Sequence, residues 1–458
     1  MKIPRILIAA TRAKSGKTLI SCAVMSVLVK RGLKIQPFKV GPDFIDPSYH
    51  SVITGSASRN LDSYMFNRDT LLWTFTHHSA DCNMSIIEGV FGLYDSPDGL
   101  SEHGSTAEVA KILNCPVILI LDAQRSNRSL LATVKGFRDF DPQTQIKGII
   151  LNNIGTRRQE EKIHTAIRTF TPNLKILGTI PRSTIIEEKF KYRHLGLVPT
   201  AERAQDVEAV QNIITNVAGH IDITSINEIA QAAEDIPPPA TGMQPPPKSD
   251  ANVGVIRDKA FSFYYPENLE YLEAGAKQVH YVNSFTDSEL PNLDLLYIGG
   301  GFPEVYAAQL QRNENLTRSI RKNWSSGMHI YAECGGLMYL TKAILDFEGK
   351  HHKLVGLLDG VVRMENAPIG HGYVRLKTTQ PNPIATYGTE ILGHEFHHSR
   401  IDFGSKPTFA FQVLRGHGID GEHDGILKER LLATYTHLHV LHNPNLFHNL
   451  IASLPKTS

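Results

Sequence analysis

The sequence predicts two α/β domains, the first built on a parallel sheet. Three observations carry that reading: short apolar runs without polar alternation, helix-like segments between them, and a proline-rich break in mid-chain. Strands covered by helices on both faces need apolar side chains on either side, so their runs do not alternate. In order, "RILIAA", "KIQPFKV", "MSIIEGV", "PVILILDA", "IKGIILNNI" and "LKILGTI" have that character, with helix-like stretches between them. The pattern restarts with "NVGVIRD", "QVHYVNS", "LDLLYIGGG" and "HIYAECGG", then turns richer in histidine and glycine.

The break is "EDIPPPATGMQPPPKSDA", 234–251. Two proline triplets fit neither a helix interior nor a central strand and favour a stiff, extended spacer. The expected domains are therefore 1–233 and 252–458, which suits a chain of 458 residues, too long for one ordinary core.

Composition narrows the function. Lys+Arg (47) nearly balances Asp+Glu (46), and a net charge of +1 gives no reason to expect nucleic acid or an anionic membrane as partner. The cysteines at 22, 82, 115 and 334 lack metal-type spacing and are too few for a disulfide framework. The opening "MKIPRILIAATRAKSGKT" reads as a first strand and loop rather than a signal peptide, and no apolar stretch approaches a membrane span. A cytoplasmic protein is the expectation.

The first strand runs into a loop ending Ser15-Gly16-Lys17-Thr18, and then into a helix predicted to be amphipathic. That is the layout of a phosphate-binding loop. Backbone N–H groups and the helix N-terminus hold phosphate oxygens, the lysine spans the β- and γ-phosphates, and the threonine hydroxyl reaches Mg²⁺. The strict pattern fails at its first glycine, where Thr11 stands; the bland alternative is an ordinary βα turn with an exposed lysine. After the second strand, "FKVGPDFIDPSYH" carries Lys39, Asp43 and Asp46, and Glu88 ends the run "MSIIE". In an open parallel sheet these loops share the edge of the first βα turn, where one or two carboxylates suit Mg²⁺.

In the second half, "YAECGGLMYL" sets Cys334 where a strand turns abruptly into a helix. A free cysteine is most often a core residue. On such a turn, however, the helix N-terminus favours a thiolate and the glycines admit close approach, so Cys334 is also a candidate nucleophile.

Taken together, "FKVGPDFIDPSYH", "RNLDSYMF", "IIEGVFGLYD", "GSTAEVAKIL", "IGGGFPE", "AECGGLMYL", "GHEFHHS" and "YTHLH" resemble the cobyrinic acid a,c-diamide synthase family, in order and over almost the whole chain. The resemblance implies a dethiobiotin-synthetase-like P-loop domain joined to a triad-class glutamine amidotransferase domain. It implies use of ATP, Mg²⁺ and glutamine to amidate the a- and c-acetate carboxylates of a tetrapyrrole, through an acyl phosphate and channelled ammonia. Cobyrinate is the expected substrate, with nickel sirohydrochlorin as the alternative from a similar branch. A P-loop switch that modifies no small molecule is a remoter alternative, and a homodimer is the base-rate expectation.

Roles follow for positions in this sequence. Cys334 matches the nucleophile and His437 its base, while Gly300 and Gly301 match residues offering N–H groups to the oxyanion. Ser15, Gly16, Lys17 and Thr18 match the nucleotide loop, and Asn152 is a candidate for adenine recognition. Thr18, Asp46 and Glu88 are expected at Mg²⁺; Lys39, Asp43, His394 and Glu395 are expected near substrate or acyl phosphate, with loop positioning as the other role open to Glu395. Three departures stand out: Ala10 and Lys14 occupy positions where glycine is usual, and His439 occupies the position of the carboxylate that orients the base. His439 or a carboxylate from elsewhere is then expected to orient His437. The histidines of "GHEFHHSR", at 394, 397 and 398, admit a metal site, which the alternating faces of a strand argue against.

Overall fold

A computed structural model describes residues 1–183, 204–240 and 242–454. The chain divides into two compact units, Met1–Met243 and Gln244–Ser458. The division falls inside the proline-rich stretch, which has neither helix nor strand over 233–250 among its described residues.

The first unit is a seven-stranded, wholly parallel sheet. Its strands are β1 (Arg5–Ala10), β2 (Ile35–Val40), β3 (Arg59–Leu61), β4 (Met84–Glu88), β5 (Val117–Asp122), β6 (Ile146–Ile154) and β7 (Lys175–Pro181), in the order β3-β2-β4-β1-β5-β6-β7. Every residue of β1, β2 and β4 is buried, as the unbroken apolar runs require. The chain leaves β1 in one direction and β4 in the other, so the two strands flank the crevice where such sheets bind ligands. Helix α1 (Lys17–Lys30) departs from the expected amphipathic pattern. It is buried on nearly every face, because Ile214, Val217 and Ala218 of a later helix, Ala204–Ala218, join the core cluster on it.

The second unit holds a nine-stranded sheet. Its parallel half contains β8 (Asn252–Ile256), β10 (Gln278–Val282), β11 (Leu295–Ile298), β13 (His329–Glu333) and β22 (Leu431–Thr434). An antiparallel half, β21 (His423–Lys428), β20 (Thr408–Arg415), β17 (Gly370–Thr378) and β18 (Glu390–His397), extends it from β22. Beside it lie a four-stranded sheet of β14 (Thr341–Leu345), β15 (His351–Lys353), β16 (Leu358–Met364) and β19 (Ser399–Phe403), and a small pair, β9 (Phe261–Phe263) with β12 (Gly300–Gly301). Of the antiparallel strands, β17 and β19 largely alternate buried and exposed residues as one-sided strands do. Parallel pairing of β13 with β22 sets Glu333 opposite Thr434, bringing the Cys334 and His437 segments together at one edge.

Candidate active site

In the first unit the loop after β1 is braced from below. Gly16 has φ +92°, and a Cβ there would stand 2.5 Å from the Asn152 side-chain nitrogen, so both conformation and space require glycine. Asn152 Nδ2 donates to the Ser15 carbonyl at 2.9 Å, and Ser15 Oγ donates to the Arg12 carbonyl at 2.9 Å. Lys14 is exposed and itself adopts φ +60°, so the position where glycine is usual keeps the left-handed backbone and carries its strain. Lys17 Nζ donates to the Phe91 carbonyl at 2.5 Å, in the loop after β4.

Behind this loop sits a buried charge cluster. Thr18 Oγ1 donates to Glu88 Oε1 at 2.6 Å, while Glu88 Oε2 lies 2.7 Å from His50 Nε2. Lys39 Nζ stands 3.2 Å from Asp46, 3.5 Å from Glu88 and 3.9 Å from Asp43, and donates to the Gly89 carbonyl at 2.9 Å. Burial alone would raise the Glu88 carboxyl, yet Lys39, His50 and Thr18 hold it well below the usual range. Desolvation and the neighbouring Asp46 push Asp43 up to about 7 against the pull of Lys39. Asp43 Oδ1 also accepts from Ile45 N at 2.8 Å, and Asn60 Nδ2 holds the Gly41 and Asp43 carbonyls, so this loop is built before any ligand arrives.

In the second unit Cys334 leaves β13 with φ 47° and ψ −102°, a strained conformation of the kind that marks nucleophile turns. Its N–H donates to the Thr434 carbonyl at 2.7 Å, and its Sγ lies 3.8 Å from the Phe396 carbonyl. Burial pushes the thiol well above its ordinary value, and Glu304 adds to the rise, so the resting group is the neutral thiol and needs a base. Glu304 is partly buried, and desolvation pushes its own carboxyl up to about 7. The Gly301 nitrogen lies 2.9 Å from where a Cβ on Gly335 would project, so its amide sits beside the cysteine turn.

His437 is fixed on several sides. Its Nδ1 lies 3.4 Å from Glu333 Oε2, and a Cβ on Gly300 would meet its Cε1 at 2.4 Å and its Nε2 at 3.2 Å. His394 stacks on its ring with centroids 5.0 Å apart, and the two residues exchange backbone hydrogen bonds. Burial, with His437 and His439 nearby, holds the His394 imidazole well below the usual range, so it packs as a neutral ring.

The comparisons with known proteins bear on both units. Residues 6–195 match the CobQ/CobB/MinD/ParA nucleotide binding domain, and residues 252–445 match the CobB/CobQ-like glutamine amidotransferase domain. A protein of Archaeoglobus fulgidus named cobyrinate a,c-diamide synthase is 45% identical over 100% of this chain and 98% of its own. Proteins of the same name from Methanosarcina acetivorans (40% identical, 95% of this chain and 92% of theirs) and Magnetococcus marinus (41%, 96% and 94%) are similar throughout. The chain belongs to the cobyrinate a,c-diamide synthase family. As a member of that family it is an ATP-dependent amidoligase, with a nucleotide-binding domain and a glutamine amidotransferase domain in one chain.

Against that family assignment, most of the residues singled out from sequence group in two places. Ser15, Gly16, Lys17, Thr18, Lys39, Asp43, Asp46 and Glu88 gather at the β1–β4 edge; Cys334, His437, Gly300 and Gly301 gather at the end of β13. Asn152 lies beside the loop, where its Nδ2 donates to the Ser15 carbonyl and braces it. His394 and Glu395 lie in the second unit, where Glu395 accepts from His417 N at 2.6 Å and Gly418 N at 2.8 Å, the contacts of a loop-positioning group. Sequence reasoning missed His50, although it closes the quoted "FKVGPDFIDPSYH", and Glu333, although it directly precedes the cysteine. Thr18, Glu88 and Asp46 offer the hard oxygens that Mg²⁺ takes beside phosphate and water, the two carboxylates lying 3.5 and 3.2 Å from Lys39 Nζ. Among the described residues no group of three or more His, Cys, Asp or Glu side chains is arranged to hold a metal, and no helix is long and apolar enough to cross a membrane.

Proposed function

We propose that the chain converts cobyrinate to cobyrinate a,c-diamide, amidating two acetate carboxylates with glutamine nitrogen and ATP. The observation that carries this reading is whole-length similarity to proteins of that name, at 40–45% identity, in a chain that keeps both a phosphate-loop cluster and a cysteine–histidine pair.

The chemistry needs both. A carboxylate does not react usefully with ammonia, because hydroxide is a poor leaving group. Attack of the carboxylate oxygen on the γ-phosphorus of ATP releases ADP and gives an acyl phosphate, with Lys17 and the loop amides offsetting the moving charge. Thr18 and Glu88 would hold Mg²⁺, which supplies further neutralisation of phosphate charge. Ammonia then attacks the acyl carbon and phosphate leaves.

Glutamine supplies the ammonia. His437 takes the Cys334 proton as sulfur attacks the side-chain amide carbon, and the Gly301 amide faces the developing oxyanion. Collapse expels ammonia, carrying the proton back from His437, and leaves a γ-glutamyl thioester. Water, deprotonated by the same imidazole, then releases glutamate. Delivery of ammonia without equilibration in bulk water keeps it unprotonated. A cytoplasmic homodimer belongs to the same reading and is tested by light scattering and cell fractionation.

The test is mass spectrometry of the macrocycle after incubation with glutamine, ATP and Mg²⁺, cobyrinate and nickel sirohydrochlorin being offered in parallel. Two amidations on cobyrinate are expected. Two on nickel sirohydrochlorin alone would move the substrate to the nickel branch, and ATP turnover that ignores glutamine with no mass change would leave a switch.

A further inference from the structure

A general-base histidine needs a partner on its far nitrogen, because that hydrogen bond selects the tautomer and aims the ring. The position two residues beyond His437 carries His439, and the structure commits it elsewhere. Its Nδ1 accepts from Leu441 N at 3.2 Å, its Nε2 faces Glu267 at 3.6 Å, and its ring packs 4.1 Å from that of Tyr265. We propose that Glu333 is the positioning residue of the base: its carboxylate accepts the Nδ1–H of His437 and so leaves Nε2 unprotonated for the Cys334 thiol. This rests on the reading of Cys334 and His437 as the glutamine-hydrolysing pair.

The surroundings of Glu333 support the assignment. Its side chain and that of His437 are each 2% exposed, with 3.4 Å between Oε2 and Nδ1. Tyr331 Oη donates to Oε1 at 2.7 Å, Tyr297 Oη donates to Oε2 at 3.2 Å, and Leu438 N–H donates to Oε1 at 3.3 Å. A carboxylate ringed by donors has only acceptor roles left, so the imidazole nitrogen facing it is the one that carries hydrogen. The Nδ1 contact is long for a finished hydrogen bond, as catalytic contacts often are before substrate tightens them. The opposite ring edge, Cε1 and Nε2, lies against Gly300, and neutral His394 covers one face.

Geometry also explains how one strand supplies both nucleophile and positioning group. Adjacent strand residues point to opposite faces. At Cys334 the backbone turns to φ 47°, which breaks that alternation at the residue after Glu333. The other titratable groups acting here are Glu304 and Glu395, which bear on the thiol, together with His439 and the two tyrosines already named.

The experiment uses the full chain and measures glutamine hydrolysis and ammonium-driven amidation separately. Glu333→Gln keeps the volume, but its amide donates toward Nδ1 and selects the Nε2–H tautomer, which cannot take the thiol proton. The expected result is a fall in kcat for glutamine of about 10²-fold or more, with KM within about threefold and ammonium-driven amidation retained. Glu333→Asp, which restores the charge one methylene short, is expected to recover at least about tenfold over Gln. A Glu333→Gln kcat within about threefold of the parent would overturn the proposal. So would an equal loss in the ammonium reaction, which marks a structural role, or a matching loss in Glu267→Gln, which would give the position to His439. The Cys334→Ala chain separates the two readings: if it still hydrolyses glutamine, the cysteine–histidine assignment itself fails, whatever Glu333 does.

Discussion

Gly300→Ala tests whether the His437 ring works where it stands. The added methyl would lie 2.4 Å from Cε1 and 3.2 Å from Nε2 of that ring, and 3.3 Å from Phe263 Cβ. Carbon atoms settle about 3.5–4.0 Å apart, so the closest contact is compressed by at least about 1 Å. Phe263 Cβ at 3.3 Å is also in tight contact with the methyl, so the imidazole is expected to give way. A displacement of about 1 Å at a reacting group costs about 10²-fold in rate. The expectation is therefore a loss of about 10²-fold in kcat for glutamine hydrolysis, with amidation from added ammonium salts unchanged. Both rates come from one preparation, by coupled glutamate release and by mass spectrometry of the product. If glutamine hydrolysis in Gly300→Ala stays within about threefold of the parent, the ring is not held at this wall in the working enzyme and the argument from its placement is wrong.

The remaining predictions address each unit in turn. Cys334→Ala should abolish amidation from glutamine and keep it from ammonium, whereas Lys17→Met should lose both while glutamine hydrolysis persists; the same two assays read each pattern. Asp424→Asn should destabilise the second unit by about 3 kcal/mol in urea unfolding, because the buried carboxylate accepts from Thr434 Oγ1, Thr436 Oγ1 and the amides of Gly425, Tyr435 and Thr436. A shift under about 0.5 kcal/mol would show those donors finding other partners. Glu304→Gln should speed alkylation of Cys334, since the Glu304 carboxylate raises the thiol. Glu304 is neutral below about 7 and charged above it, so the two chains should react alike at pH 6 and diverge as pH rises past 7. Equal rates at pH 8 would remove Glu304 from the electrostatics of the thiol.

Runs such as "RILIAA" and "PVILILDA" were legible as covered strands because burial on both faces leaves one simple signature, and their residues are almost all buried. The phosphate loop was legible through its placement even with Thr11 and Lys14 breaking the pattern. Less visible was anything set by long-range packing. The burial of α1 on nearly every face depends on residues 214–218, nearly two hundred positions away, so its own sequence could not reveal it. The hydrogen bond from Asn152 to Ser15 was equally hidden, because nothing local shows that the two lie within 2.9 Å of each other. Glu333 was hidden for another reason: a carboxylate beside a cysteine in a strand should face away from it, and only the turn at Cys334 reverses that expectation.

The Lys17 ammonium donates to the Phe91 carbonyl, and Phe91 itself sits at φ +45°, a backbone state that costs about 1–2 kcal/mol outside glycine. If Lys17 meets the β- and γ-phosphates as proposed, an arriving triphosphate draws the ammonium to stronger, charge-assisted partners and away from that carbonyl. The segment after β4 would then lose an anchor on loading, while Gly89 at its start still grips Lys39. Nucleotide occupancy would thereby reach the acidic cluster along the main chain, like a latch released by the key that enters beside it. Faster amide exchange at Gly92 on adding ATP, with its bond to Asp95 loosened, is the sign that the latch moves.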